Sequence, residues 1–172
     1  MTAISRISQR ILAFGAGLSM ALVFGIIFVN SLRRYTTGQS LQWGEELPIY
    51  LSIYGVMFGI GLAYLQDSHI RFTVLTDFLS ARTRHYLFAA VDVVTIAVGA
   101  ALAWSGLVFA ARRADQEASG LIGTANDLVA ATGLEWLVWL GRMGTWQAAI
   151  CTGGIILAAA ALIRFLVRLQ EV

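Results

Sequence analysis

The sequence is poor in charge, proline and cysteine. Only 13% of its 172 residues are charged, whereas about 25% is usual for a soluble domain. The single cysteine, Cys151, excludes an intramolecular disulfide and a cysteine-based metal cluster. Lysine is absent, so all 12 basic residues are arginines. A net charge of +2 without a basic tail excludes a nucleic-acid-binding protein.

Reactive groups are equally scarce. The sequence contains no HExxH motif, no phosphate-binding glycine loop and no plausible Ser-His-Asp set. Its two histidines, His69 and His85, fall in one connecting segment, whereas a membrane haem takes axial ligands that face each other within a bundle. We therefore predict that the chain is not an enzyme and that it holds no metal or cofactor of its own.

Apolar residues, in contrast, make up 58% of the chain, too many for an 18.6 kDa globule to hide. Four apolar stretches each reach the roughly 20 residues that cross a bilayer core, at about residues 11–32, 47–66, 86–111 and 146–166. Pro48 falls in the opening turn of the second, where a missing N–H does little harm. We predict an all-α integral membrane protein, a single four-helix transmembrane domain over residues 1–172.

Arginine and tryptophan placement predicts the orientation. With the N-terminus inside, seven arginines fall on the inner side and five on the outer, which favours cytoplasmic N- and C-termini. The outer side also carries the residues of an interfacial aromatic belt: Trp43, Trp136, Trp139 and Trp146. The first apolar stretch is longer than the 7–15 residues of a signal-peptide core, so we expect a retained span.

Two connecting segments have helical apolar spacing. They lie at about residues 72–80 on the inner side and 118–140 on the outer side. Such amphipathic segments either lie in the membrane interface or cover a partner subunit, because both faces have the same pattern. We predict short interfacial helices at these positions.

Small residues recur every four positions in the spans, for example Gly55 and Gly59 in the second. This spacing lets helix backbones approach closely in lipid, either within the chain or on a partner. The one ionisable residue well inside a span is Asp92, and we expect a hydrogen bond or an arginine of the inner loop to satisfy it. Glu45 and Glu46 open the second helix, where the helix dipole favours them and where Arg33 or Arg34 could pair with them.

The central third of the chain resembles a known family. Gln42-Trp43-Gly44-Glu45-Glu46-Leu47 precedes a span that contains Gly59 and Ala63, and Asp67-Ser68-His69-Ile70-Arg71 follows it. A Trp-x-Glu-Glu motif before the second helix and a His-Ile motif after it are typical of the small membrane subunit of TRAP transporters, the DctQ type. The similarity covers about residues 33–84 in detail.

The resemblance implies a tripartite importer in the bacterial inner membrane. A periplasmic binding protein would capture a small organic anion such as a carboxylate or sialic acid, and a large multi-spanning permease subunit would move it with a sodium gradient. This chain would be the scaffold, and sodium would bind the large subunit. Trp43, Glu45 and Glu46 would anchor the outer end of the second helix, and His69 and Arg71 its inner end.

Further candidate residues follow from the same hypothesis. Gly55, Gly59 and Asp92 are candidates for subunit-interface or structural roles, and Arg33, Arg34, Arg113 and Arg142 are candidates for docking the binding protein. Three alternatives remain open at this point: a haem- or quinone-associated membrane anchor of a redox enzyme, a small homo-oligomeric exporter that uses Asp92, and the small subunit of a tripartite tricarboxylate transporter.

Overall fold

The computed structural model describes residues 3–66 and 79–170, and this part of the chain is almost entirely helical. Four helices are long and apolar enough to span a membrane, as the sequence predicts. They are α1 (Ala3–Thr37), α2 (Trp43–Leu65), α3 (Ala81–Arg112) and α5 (Met143–Gln170). Between α3 and α5 lie a shorter helix, α4 (Ile122–Thr132), and a 3₁₀ segment, Glu135–Gly141.

The ends of the helices follow local sequence chemistry. Gly38 and Gly133 both have φ of 71°, a left-handed conformation that glycine adopts without strain and that ends α1 and α4. The Gly133 N–H donates to the Val129 carbonyl 2.8 Å away. At the start of α3, the Ser80 hydroxyl accepts a hydrogen bond from the Thr83 N–H at 3.2 Å, the usual role of an N-cap serine.

The helices are longer than the apolar stretches that predict them. α1 has 35 residues and α3 has 32, because polar residues at both ends continue the backbone hydrogen bonds beyond the apolar run. α2 begins at Trp43, so Pro48 is its sixth residue and lies inside the helix rather than in the opening turn. Pro48 has no N–H to donate to the Gly44 carbonyl, while its own carbonyl accepts from the Ser52 hydroxyl at 2.7 Å.

The four long helices pack in the order α1, α2, α5, α3. α3 and α5 share the most extensive contact, α1 packs on α2, and α2 joins the two pairs by packing on α5. The last span is therefore inserted between the second and the third. This arrangement leaves much of the chain uncovered. In α1 and in α3 alike, only 11% of the most apolar 18-residue stretch is buried.

Two apolar clusters mark the two ends of the helices. We call one the Asp92 end, where Leu12, Leu65 and Ala160 are buried together. The other is the Trp43 end, where Ala118, Leu121 and Trp146 form the core. Because α1 begins and α5 finishes at the Asp92 end, both ends of the described chain lie on the same side.

The outer segment predicted at residues 118–140 contains α4 and the 3₁₀ segment, and it packs against the Trp43 end. Leu121 is 6% exposed and Ala125 is 2% exposed, whereas Leu128 on the same predicted stripe is 41% exposed. A short antiparallel bridge between Glu117 and Arg142 closes the segment at its base. The segment predicted at residues 72–80 lies mostly outside the described residues.

Candidate functional site

A buried polar cluster joins three spans at the Asp92 end. The Asp92 side chain is 3% exposed. One of its carboxylate oxygens accepts a hydrogen bond from the Tyr64 hydroxyl of α2 at 2.5 Å, and the other accepts from Nε of Arg168 on α5 at 2.6 Å. The Arg168 guanidinium also lies over the ring of Phe88, 4.9 Å from its centroid. Phe88 and Asp92 are four residues apart, which places them on one face of α3.

This cluster is held by electrostatics in a medium of low dielectric constant. A carboxylate within a span is costly unless it is paired, and here both of its oxygens accept from strong donors. Removing one member of such a pair costs about 3–5 kcal/mol, because the other charge is then left buried alone. The cluster therefore fixes α2, α3 and α5 relative to one another.

The expectation for Asp92 is a hydrogen bond or an arginine of the inner loop, and the hydrogen bond from Tyr64 is present. Among the described residues, the arginine that pairs with Asp92 is Arg168 of α5. The reason is the packing order: α5 lies directly against α3, so its last turns bring Arg168 to the level of Asp92.

A second polar contact joins α2 to the outer segment at the Trp43 end. The Glu46 carboxylate accepts from the Ser119 hydroxyl at 2.9 Å and from the Gly120 N–H at 3.2 Å. Gly120 is required for this approach, because a Cβ there would lie 2.8 Å from the Gln42 carbonyl oxygen. Glu46 thus binds the segment that follows α3, and within the described residues neither Arg33 nor Arg34 forms an ion pair with it.

Aromatic residues complete the Trp43 end. The rings of Tyr50 and Trp146 stack with centroids 5.4 Å apart, and the Trp146 indole N–H donates to the Leu140 carbonyl at 3.0 Å. The Tyr54 hydroxyl donates to the Thr145 carbonyl at 2.8 Å. Trp43 is half-buried against the same cluster. These contacts hold the start of α5 and the outer segment on α2.

The four tryptophans predicted to form an interfacial belt share the Trp43 end, but they have different environments. Trp136 and Trp139 are 62% and 64% exposed, which suits side chains at a membrane interface. Trp146 is 9% exposed and is a core residue. Of the tryptophans in the predicted belt, Trp136 and Trp139 therefore lie at the surface, whereas Trp146 packs in the core.

Small residues create the closest helix contacts. A Cβ on Gly99 of α3 would lie 2.7 Å from the backbone nitrogen of Ala158 on α5, and a Cβ on Gly55 of α2 would lie 2.6 Å from Met20 of α1. A Cβ on Gly59, one turn further along α2, would meet no heavy atom within 4 Å. Gly55 therefore serves packing within the chain, whereas Gly59 leaves open space beside the helix.

The arginines considered for docking all lie at the Trp43 end. Arg33 and Arg34 are exposed in the last turns of α1. The Arg113 guanidinium lies 4.7 Å from the ring centroid of Phe109, and Arg142 forms an ion pair with Asp115 at 3.4 Å. Three of the four are thus free of an ion pair within the described residues.

Two predicted residues, His69 and Arg71, lie outside the described residues. Tyr64 and Arg168, in contrast, are not among the residues predicted from the sequence, and they form the buried cluster with Asp92. A usable signal for α2 was present: Tyr50, Tyr54 and Tyr64 are polar-tipped aromatics within a largely apolar span, and such hydroxyls find a partner when buried.

Comparison with known proteins adds one finding. The sequence profile of the family described as "Tripartite ATP-independent periplasmic transporters, DctQ component" matches residues 23–171. The match covers the C-terminal part of α1, the other three spans, the Asp92 cluster and the Glu46 contact. A search of curated proteins finds no match.

Proposed function

The chain belongs to the DctQ family of components of tripartite ATP-independent periplasmic transporters, and on this premise we propose that it is the scaffold on which the moving subunit works. The family confirms the resemblance found in the sequence motifs, and with it the assignment as a small permease subunit in a membrane. We further propose that transport is sodium-driven and that the cargo is a small organic anion, such as a carboxylate or sialic acid.

The observation that carries the scaffold role is the state of the buried polar groups. In the described part of the chain, each buried side-chain nitrogen or oxygen has a hydrogen-bond partner, and Asp92, the acid within the spans, is held by Tyr64 and Arg168. A substrate or sodium site needs polar groups that are free to bind a ligand. These groups instead join helices, which supports a static role with sodium bound by the large subunit.

We propose that the Trp43 end faces the periplasm of a bacterial inner membrane and that both termini are cytoplasmic. The distribution of arginines supports this orientation. In this orientation Arg33, Arg34, Arg113 and Arg142 face the periplasmic binding protein. The exposed tryptophans Trp136 and Trp139 then lie at the outer interface.

The proposed partners are the large multi-spanning permease subunit, the binding protein and membrane lipids. The extent of uncovered apolar surface supports the first and the last of these. Phe14 and Phe24 of α1 and Trp104 of α3 are each more than 70% exposed. Surfaces of this kind are stable only against lipid or against another membrane protein.

The test is uptake by reconstituted vesicles. The large subunit and the binding protein would be reconstituted with and without this chain, and uptake of labelled carboxylates and sialic acid would be measured with an inward sodium gradient. We expect uptake only when this chain is present and only with the gradient. Full uptake by the large subunit alone would refute the scaffold role, and uptake without sodium would refute the coupling ion.

A further inference from the structure

The first turns of α2 contact two neighbouring elements at the Trp43 end. Gly44 and Glu46 are two residues apart, so they lie on nearly opposite sides of the helix. Gly44 lies against α1, whereas Glu46 accepts hydrogen bonds from the outer segment. The four arginines considered for docking lie on or beside the same two elements: Arg33 and Arg34 on α1, and Arg113 and Arg142 at the two ends of the outer segment.

Asn30 of α1 holds the connection between α1 and α2. Its Oδ1 accepts a hydrogen bond from the Leu41 N–H at 2.7 Å, and the Leu41 carbonyl accepts from the Gly44 N–H at 3.0 Å. Gly44 is buried, and a Cβ there would lie 2.7 Å from Cγ of Asn30. The glycine within the Trp-x-Glu-Glu motif therefore makes room for α1.

Asn30 also shares a side of α1 with two of the arginines. Arg33 and Arg34 follow it by three and four residues, the spacing that places side chains on one face of a helix. Both arginines are exposed, and neither forms an ion pair with a described residue. The contact of Asn30 with Leu41 and Gly44 therefore sets where these two arginines stand relative to α2.

The hydrogen bonds of Glu46 reach the other two arginines through the base of the outer segment. The two residues that donate to Glu46 follow Ala118, whose N–H donates to the Gly141 carbonyl at 2.8 Å. Arg142 comes directly after Gly141, and Arg113 caps the end of α3, where the outer segment begins. Glu46 therefore sets the position of this second pair relative to α2.

We infer that the first turns of α2 hold the two arginine pairs as one preformed surface for the binding protein, with Asn30 and Glu46 as positioning residues. The inference rests on the proposed function and names residues that act without touching the partner. Charges across an interface are complementary, so the partner surface carries carboxylates. Groups that are fixed before binding lose less conformational entropy when the complex forms, so a loosened surface binds more weakly although its arginines are still present.

The first experiment titrates the binding protein against vesicles that contain the membrane complex. The half-saturating concentration of binding protein and the maximal uptake rate would be measured for Asn30→Ala and Glu46→Gln. The control is Ser52→Ala, which removes a hydrogen bond to Pro48 within α2. We expect the half-saturating concentration to rise about threefold or more for the first two variants, as for the loss of one or two exposed charge contacts. The maximal rate should stay unchanged, and Ser52→Ala should change neither quantity.

A double-mutant cycle separates positioning from direct contact. Arg33→Ala/Arg34→Ala should itself raise the half-saturating concentration, and adding Asn30→Ala should raise it little further, because Asn30 acts through the same two arginines. If Asn30→Ala does not assemble, Asn30→Ser, which keeps an acceptor oxygen, takes its place in the cycle. Effects that multiply as for independent sites would overturn the inference, and so would a half-saturating concentration unchanged by both the Asn30 variant and Glu46→Gln.

A cross-link tests the position of Glu46 without its charge. In a Cys151→Ala background, Glu46→Cys/Ser119→Cys would be joined by a short bis-methanethiosulfonate reagent, which a thiol reductant cleaves. We expect the joined form to keep the half-saturating concentration of the unmodified complex and the reduced form to have a raised one. A raised value in both forms would overturn the positioning role, because the carboxylate itself would then be needed.

Failure of the inference and failure of the proposed function give different results. If uptake by the unmodified complex did not require this chain, or did not saturate with the binding protein, the proposed function itself would fail. The inference fails alone when the unmodified complex saturates with the binding protein and Asn30→Ala and Glu46→Gln saturate at the same concentration.

Discussion

Replacing Asp92 by asparagine would test the buried cluster most severely. The asparagine side chain would keep one carbonyl oxygen, which could accept from Arg168, and its amide group could donate to the Tyr64 hydroxyl oxygen. The ion pair would be lost, and Arg168, whose side chain is 14% exposed, would remain without a counter-charge. Loss of one member of a buried pair costs about 3–5 kcal/mol.

The lower end of this range applies here. Arg168 lies in the last turn of α5, and a long cationic side chain near the end of a span can extend toward the interface. We therefore expect Asp92→Asn to cost about 3 kcal/mol. For a chain of this length, this corresponds to a melting temperature ~6–12 °C lower.

The assay is thermal unfolding of the purified chain in detergent, followed by tryptophan fluorescence and by recovery of the monodisperse peak. Tyr64→Phe is the graded control, because it removes one hydrogen bond to a charged group, about 1.5–3 kcal/mol, and keeps the ion pair. The double variant Asp92→Leu/Arg168→Met should recover most of the loss, since an apolar pair of similar volume can replace a buried ion pair. A melting temperature unchanged by Asp92→Asn would refute the reasoning, as would a double variant no more stable than Asp92→Asn alone.

Three further predictions concern packing and the Trp43 end. Gly99→Val should destabilise the purified chain by about 2 kcal/mol or more in the same thermal assay, because the added side chain would push α3 away from α5. Gly59→Val should change stability by under about 0.5 kcal/mol. Equal effects of the two variants would contradict the packing described for these glycines. Glu46→Gln should weaken the contact with the outer segment by about 1.5 kcal/mol. Amide hydrogen exchange in the segment that follows α3, measured by mass spectrometry, should then be about tenfold faster. Unchanged exchange would contradict this role of Glu46. Trp146→Ala should cost about 3–5 kcal/mol in thermal unfolding, and Trp136→Ala almost nothing. Similar losses from the two variants would contradict the placement of Trp146 in the core and Trp136 at the surface.

The spans are the part of the fold that the sequence predicts well. Long apolar runs are sufficient because backbone groups in lipid must be satisfied within one segment. The helix bounds are less predictable: α2 begins four residues before its apolar run, so that Trp43 through Glu46 belong to the helix. In an interfacial region, polar residues continue a helix as readily as they end it.

Contacts between residues that are far apart in the sequence are less predictable than the helices. Asp92 stands out in the sequence, but its pairing with Arg168 depends on α5 packing between α2 and α3, and no local pattern specifies that order. The same limit applies to the glycines. Gly55 and Gly59 have the same spacing signal, yet Gly55 lies against Met20 and Gly59 lies beside open space, because only one side of α2 faces α1.

Glu46 illustrates a third limit. The sequence places it at the start of α2, where the helix dipole alone would account for an acid. Its bonds to Ser119 and Gly120 depend on the return of the outer segment to α2, 73 and 74 residues later in the chain. Glu45, its neighbour, is exposed and forms no ion pair among the described residues, so adjacent identical residues have different surroundings.

The pairing of Asp92 with Arg168 also sets an order of events during biosynthesis. The two residues are 76 positions apart, and at about 5–20 residues per second the ribosome needs roughly 4–15 s to add that length of chain. During this interval α1 and α2 can already form a hairpin, while α3 enters the bilayer with a carboxylate whose arginine has not yet been translated. Insertion of the last span is therefore the step that completes the membrane domain, and a nascent chain that stops before Arg168 exposes an unneutralised acid to the lipid.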